Sequence, residues 1–556
     1  MGLFLRGFGT GSRSGWLGRW PVPVLFILLL AAGGPALAQA PLSSEDFPAR
    51  DRGEGPYDRL VIDGGFLIDG LGGPTEGPTV ITVEKDRITD IRIKRPGEGP
   101  VAAPVGGTTR VVDAAGQYVL PGFINAHAHI HSVKGGQGGW GGSVPADYVA
   151  KLWLAHGITS VREVGNGRSM DWVMEVTRRA ASHEITAPRI YPHIRFGSEP
   201  AGSKVTTPQQ ARDFMRRVAA AGAHGVKFFG APPRILGAAF DEAKELGLRT
   251  TMHHAQTAVV EANVLTTSGL GLNAMEHWYG LPEALFDDRI VQDYSPDYIY
   301  QDEQDRFGEA GGLWAQAAGP GSERWRLVMG TLLERDFHII PTFTIYIANR
   351  DWMRARRAEW HDDYTLPQLW DFFRPSLEAH GSYWFDWTLD RELAWADNFR
   401  RWMVFINAYK NRGGLVGVGE DAGYIYSTYG FGLIREMELL REAGFHPLEV
   451  IRAATIVNAR ILGVATEIGS VEIGKKADLV VVPENPLQNF KTLYATGHLR
   501  MDRASGAVER VGGVGLTIRD GIVYDAAQLR EDIKAMVRTA KEKRGLPPGP
   551  MPIATR

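Results

Sequence analysis

Near both ends of the chain, apolar and polar positions alternate with a period of two. LVIDGGFLID from Leu60, TVITVEKDRITDIRI from Thr79 and TRVVDAAGQYV from Thr109 are short alternating runs broken by Gly- and Asp-rich turns. KADLVVVPENP from Lys476 and VGLTIRDGIVYDA from Val514 repeat the style. Period two is the mark of a strand with unlike faces, so 57–120 and 463–526 are expected to form one small β-sandwich domain built from both chain ends. In between, over 121–462, the pattern changes. Short apolar runs at Tyr118–Asn125, Ile158–Val164, Arg189–Ile194, Gly225–Phe229, Arg249–His253, Ala274–His277, His338–Thr344 and Leu415–Gly419 alternate with segments of helical period such as PQQARDFMRRVAAAGA. Eight strands interleaved with helices predict an α/β fold, a (β/α)8 TIM barrel. A helical insertion over about 280–400 interrupts it and carries seven of the 15 tryptophans between Trp352 and Trp402. Its reading is a cover with its own small core, or else a lid, a substrate wall, or a carbohydrate- or partner-binding surface. Segment 527–556 is a C-terminal helix, Leu529–Lys543, followed by a loose tail.

Length and composition fit this division. The chain has 556 residues, enough for one large domain and a satellite. A net charge of −3 gives no case for nucleic acid as a partner. There is no cysteine, so disulfides, thiolate nucleophiles and thiolate metal ligands are excluded together. Any metal must be held by nitrogen and oxygen. Arg6, Arg13 and Arg19, the apolar run Val22 to Ala32 and the small-residue site Ala36-Leu37-Ala38 make 1–38 a secretory signal peptide, which predicts a periplasmic or secreted protein without a stable membrane anchor after cleavage. An uncleaved anchor is the alternative.

The candidate chemistry lies at strand ends. In VLPGFINAHAHIH, His127 and His129 are two apart on a strand, so both point the same way and make half of a metal site. The fourth strand carries Lys227 among apolar residues, the fifth ends in His253 and His254, the sixth in His277 and the eighth in Asp421. Each has an ordinary structural reading, as a snorkelling lysine, a core histidine or a turn cap. Their recurrence in order at the C-terminal ends of barrel strands, where such barrels keep their active sites, does not. The Gly-rich KGGQGGWGG (134–142) lacks a GK[ST] ending and reads as a loop over the pocket mouth. Arg162 and Glu163 in VREVGN either orient groups near a metal or form a structural ion pair.

Taken together, LVIDGGFLIDG, VLPGFINAHAHIH, HGITSVREVGN, GAHGVKFF, MEHWYG, the GED of strand eight and HPLEVIRAATIVNARILGV with IGSVEIGKKADLVVV resemble the amidohydrolase superfamily over about 58–525. Within it the text is most similar to the dipeptidase and imidazolonepropionase-like branch. The resemblance implies a centre of two divalent metal ions, zinc or similar. His127, His129 and Asp421 would hold one ion, and His253 with His277 the other. Lys227 would bridge them as a carbamate made with carbon dioxide. The implied activity is hydrolysis of an amide, peptide-like or cyclic amide C–N bond by a metal-activated hydroxide, with Asp421 as base and then acid.

Period two forbids His253 and His254 from sharing a face; His253 is taken as the ligand and His254 as runner-up. The resemblance breaks at two positions. Gln256 stands where deaminating relatives carry a glutamate, which disfavours deamination, and Ala255 where similar dipeptidases carry a tyrosine. Tyr279 and His254 are therefore the candidates for polarising the substrate carbonyl. The expected partner is a small-molecule substrate, with a homo-oligomer left open. The competing readings are a lactonase or esterase with the same centre and a catalytically inactive metal-binding homologue.

Overall fold

In a computed structural model, contacts divide the chain into Met1–Leu42 and Ser43–Arg556. The residues described are 47–102, 108–130, 144–165, 168–198, 204–374 and 387–549, all in the second unit. The expected signal peptide, the Gly-rich loop at 134–142 and the last part of the tail lie outside them.

Seven parallel strands run in chain order: Phe123–Ala128, Ile158–Glu163, Arg189–Arg195, Gly225–Phe228, Arg249–His253, Ala274–Glu276 and His338–Ile340. The first two are buried along their whole length, as strands covered on both faces must be. The eighth expected strand, 415–419, closes the ring with a single bridge, Ile339 to Val416. Backbone hydrogen bonds complete the closure. Ile339 N–H donates to Leu415 O (3.1 Å), Gly417 N–H to Ile339 O (2.9 Å) and Ala126 N–H to Val418 O (2.9 Å). Helices cover the outside. Pro208–Ala220 buries Ala211, Phe214, Met215 and Val218, a stripe of helical period, and is capped by Thr207.

Both chain ends meet in one eight-stranded sheet. Its order is Ile522–Asp525, Leu516–Arg519, Leu479–Val482, Tyr118–Pro121, Arg59–Leu67, Glu76–Glu84 and Arg87–Ile93, with Thr109–Asp113 also on Arg59–Leu67. The sheet curls back on itself. Ile88 N–H donates to Lys475 O, and Gly474 N–H to Ile88 O. The enclosed face holds Leu60, Ile62, Ile81, Val119, Leu479 and Ile518 in one apolar cluster. A separate hairpin pairs His498–Met501 with Val508–Val511.

The insertion is helical on both sides of the seventh strand, with Glu303–Ala310 and Glu323–Glu334 before it and Ile347–Arg356, Pro367–Phe373 and Leu389–Asn411 after it. Trp395 and Trp402 are fully buried, and Trp352, Trp360, Trp370 and Trp387 are half-buried. Trp402 lies 6.0 Å (ring centroids) from Trp278 beyond the sixth strand, and Trp395 stacks at 5.8 Å on Tyr346 beyond the seventh. Among the described residues, Trp395 and Trp402 thus form part of the core of a cover fixed to the barrel rim. The C-terminal helix is Ala526–Lys543, capped by Asp525, which accepts from Ala527 N–H at 2.7 Å. Among the described residues no helix is long and apolar enough to cross a membrane.

Candidate metal centre

Strand alternation carries His127 and His129 to the same side. Their Nε2 atoms are 3.2 Å apart and lie 3.4 and 3.2 Å from Asp421 Oδ1. Asp421 arrives from the eighth position with its own N–H bonded to His127 O (3.0 Å) and φ at 44°, a conformation Asp tolerates better than most side chains. Room for this approach depends on Gly419, where a Cβ would fall 2.5 Å from His127 Cβ. His277 joins from the sixth strand, Nε2 3.7 Å from Asp421 Oδ2, with its ring 4.9 Å from His127 and 4.6 Å from His253.

The tautomers are set from behind. His129 Nδ1–H donates to Gly165 O (3.1 Å). Thr342 donates its hydroxyl to Pro341 O, so its oxygen accepts from His277 Nδ1–H (2.6 Å). Both Nε2 atoms are left as lone-pair donors facing the carboxylate. Burial is the dominant influence on His127, pulling it down to about 3 against the opposing pull of Asp421. Burial likewise holds His253 and His277 well below the usual range, so these rings are neutral at ordinary pH. Converging neutral imidazoles around a carboxylate leave lone pairs facing one another, which only a cation reconciles. Donor separations of 3.2–3.4 Å also suit bonds of about 2.0–2.2 Å at near-tetrahedral angles. The residues fit a divalent ion.

His253 and His254 separate as alternation requires. His253 faces His277 and Phe229, whereas His254 turns away, its Nε2–H donating to Thr267 Oγ1 (2.9 Å) on the helix behind. The geometry therefore does not bring His254 to the imidazole cluster. Tyr279 is beside the cluster, its ring 5.9 Å from that of His253.

Lys227 is buried below the imidazoles, where desolvation drives its amine well below the usual lysine range against the pull of Asp421. Its ion-pair partner is Glu276 Oε2, a residue sequence reasoning passed over. Glu276 Oε1 accepts from Arg162 Nη2 (2.9 Å) and lies 3.5 Å from His127 Nδ1. Neighbours on a strand should face opposite ways, so a reader choosing His277 discards Glu276. His277 has φ at 64°, which breaks the alternation and lets both residues reach His127. Arg162 is paired with Glu276 rather than with Glu163, and its Nε donates to Ala126 O (2.6 Å). Glu163 is fully buried and raised to about 8 by that burial.

With the geometry in view, similar proteins can be placed. The Amidohydrolase family matches residues 401–501, the stretch holding Asp421 and the closing helices. Adenine deaminase 2 of Rhizobium etli is 31% identical over 139 residues, which is 23% of this chain and 20% of that protein. The chain spans about a fifth of the length of the adenine deaminases it matches. A solved Xaa-Pro dipeptidase with bound methionine superposes with a TM-score of 0.55 at 17% identity, covering 84% of this chain and 100% of that one. A bottromycin amidohydrolase gives 0.58 at 17%, covering 88% and 92%.

Proposed function

The chain belongs to the amidohydrolase superfamily, and from that premise we propose that it hydrolyses a carbon–nitrogen bond of a small molecule, metal-dependently and outside the cytoplasm. The convergence of His127, His129, His277 and Asp421 on one point carries this reading. His127, His129 and Asp421 would hold one ion, and His253 with His277 a second, zinc being suited to the nitrogen-rich set. Lys227 as a carbamate would join them. Its burial supports this role, because a neutral amine attacks carbon dioxide and an ammonium does not. When bound, the ions supply Lewis-acid polarisation and acidify water.

The chain supplies the rest. Asp421 takes a proton from the attacking water and returns it to the leaving nitrogen. Tyr279, beside His253, orients the carbonyl oxygen. Gln256 donates to Arg306 O (3.5 Å) and has no proton to shuttle, which favours amide cleavage over deamination. The same centre acting on lactones is the second reading, since the attack does not itself require nitrogen.

The test joins metal analysis of the purified protein to a screen of dipeptides, N-acyl amino acids, cyclic imides and lactones. Asp421→Asn should fold, keep much of its metal and lose about 10²–10⁴-fold in turnover. Wild-type turnover in that variant, or a protein that binds no divalent ion, defeats the reading.

A further inference from the structure

We propose that Glu276 is a positioning residue for the metal centre: one carboxylate oxygen orients the carbamate on Lys227 and the other orients the His127 imidazole. This rests on the carbamate-bridged reading above and adds what holds the bridge in place.

Glu276 ends the sixth strand, Ala274–Glu276, in register with His253 on one side and Ile340 on the other. It is fully buried, and its two oxygens are divided between tasks. Oε1 accepts from Arg162 Nη2 (2.9 Å) and lies 3.5 Å from His127 Nδ1, whereas Oε2 pairs with Lys227 Nζ. The Nδ1 atoms of His129 and His277 are held by Gly165 O and Thr342 Oγ1. His127 Nδ1 is buried and makes no hydrogen bond among the described residues, so Glu276 Oε1 is the acceptor in position for it. With Nδ1–H turned to Glu276, Nε2 keeps its lone pair for the ion.

Oxygen Oε2 serves the bridge. Carboxylation joins the Lys227 nitrogen to the carbon of carbon dioxide. One C–N bond forms, one C=O π bond opens onto oxygen, and one proton leaves the nitrogen for water. The carbamate nitrogen keeps a single N–H, which lies in the plane of the two new oxygens for the reason a peptide group is planar. Holding that N–H on Glu276 Oε2 therefore fixes the plane of the bridge and turns its oxygens away from Glu276. Two anions side by side in a dry interior would repel. Arg162 neutralises Glu276 and is itself tied to Ala126 O on the strand of His127, which leaves the charge of the carbamate to the ions.

Glu276→Gln separates these tasks. Arg162 can only donate, so the amide turns its oxygen to Arg162 and its NH2 to Lys227. That NH2 meets a donor in the carbamate but a lone pair in the free amine, so the substitution selects the uncarboxylated lysine and keeps the bond to Arg162. Full-length protein is loaded with zinc in 13C-bicarbonate, and the carbamate carbon is read by 13C NMR beside a calorimetric zinc titration. Wild type should show the carbamate signal and two bound ions. Glu276→Gln should need about 10–100-fold more bicarbonate for half the signal and hold its weaker zinc about 10–100-fold less tightly, with an unchanged circular dichroism spectrum. If Glu276→Gln does not fold, Glu276→Asp decides on the same titrations: it keeps the charge, withdraws the oxygens by one methylene and should shift both by about 10-fold or more. A Glu276 that only stabilises the floor would lower Tm and leave the bicarbonate and zinc titrations of the folded variant at wild-type values, and that result overturns the proposal. A wild type that holds zinc without a carbamate signal, or holds no zinc, overturns the bridged reading instead and this inference with it.

Discussion

Single side chains in the barrel floor are held by charge more than by packing. Glu276 is fully buried and its carboxylate pairs with both Arg162 and Lys227 below the imidazoles. Glu276→Ala leaves the Arg162 cation and the Lys227 amine without a carboxylate partner in a dry interior. Lys227 can shed its proton there, but Arg162 cannot. Denaturant unfolding should show a loss of about 3–5 kcal/mol, the cost of orphaning a buried charge rather than of losing a contact. A loss below about 1 kcal/mol would show that water or another group already compensates Arg162. The same residue marks a limit of reading from sequence. Period two placed His127 and His129 together and separated His253 from His254, because the alternation carries on through the strand ends. It hid Glu276, because the left-handed backbone of His277 is a local choice forced by Thr342 and the seventh strand. Thr342, itself at φ 51°, carried no signal of its contact with His277, which is 65 residues away in sequence.

At the scale of elements, the barrel is closed less by its eighth strand than by the helix that follows. Asn458 reaches inward from the closing segment. Its Nδ2 donates to Ile124 O (2.6 Å) and Val418 O (2.8 Å), and its Oδ1 accepts from Val418 N–H (3.0 Å). One amide therefore ties the strand bearing His127 and His129 to the stretch bearing Asp421. Asn458→Leu keeps the bulk but strands the buried Val418 N–H and takes the side-chain donor from Ile124 O, Val418 O keeping its bond from Ala126 N–H, at a cost of about 3 kcal/mol. Because the seam it holds sets the spacing of His127 and Asp421, metal affinity should weaken with stability. Calorimetric metal titration of the folded variant checks this, and unaltered affinity would show the seam to be held by the strands alone. The eight apolar runs and the helical stripes between them were legible in the sequence, as was the resort to both chain ends for the β domain. The shortness of the eighth strand was not. Gly417 and Gly419 make room for Asn458 and His127, and packing of that kind overrides a β-like run. The burial of the tryptophans was open until the insertion was seen to share Trp278 and Tyr346 with the barrel rim.

For the molecule as a whole, folding traps ionisable groups of both signs away from water, and that sets its pH range. Burial raises Glu436 to about 8 although its carboxyl accepts from Phe343 and Thr344 N–H, and raises Glu283 to about 7. Their folded values lie above the ordinary 4.5, so the stability they contribute is present at low pH and is lost as pH rises from about 4.5 to about 8. Burial lowers His156 to about 3 and His361 to about 4, although each ring donates to a backbone carbonyl, Leu152 O and Ala355 O. Their contribution is complete above the ordinary 6.5 and is lost as pH falls from there to about 3. Between pH 4.5 and 6.5 the two slopes oppose each other. Above 6.5 only the glutamates act, and below 4.5 only the histidines. Tm measured from pH 3 to pH 9 should therefore be highest between about 4.5 and 6.5 and decline on both sides. Glu436→Gln should flatten the alkaline decline without touching the acid one, because a neutral amide has no proton to lose. A Tm that keeps rising from pH 6.5 to 8 in the wild type, or an alkaline decline undiminished in Glu436→Gln, would mean that these carboxyls are wetter than their place in the fold implies.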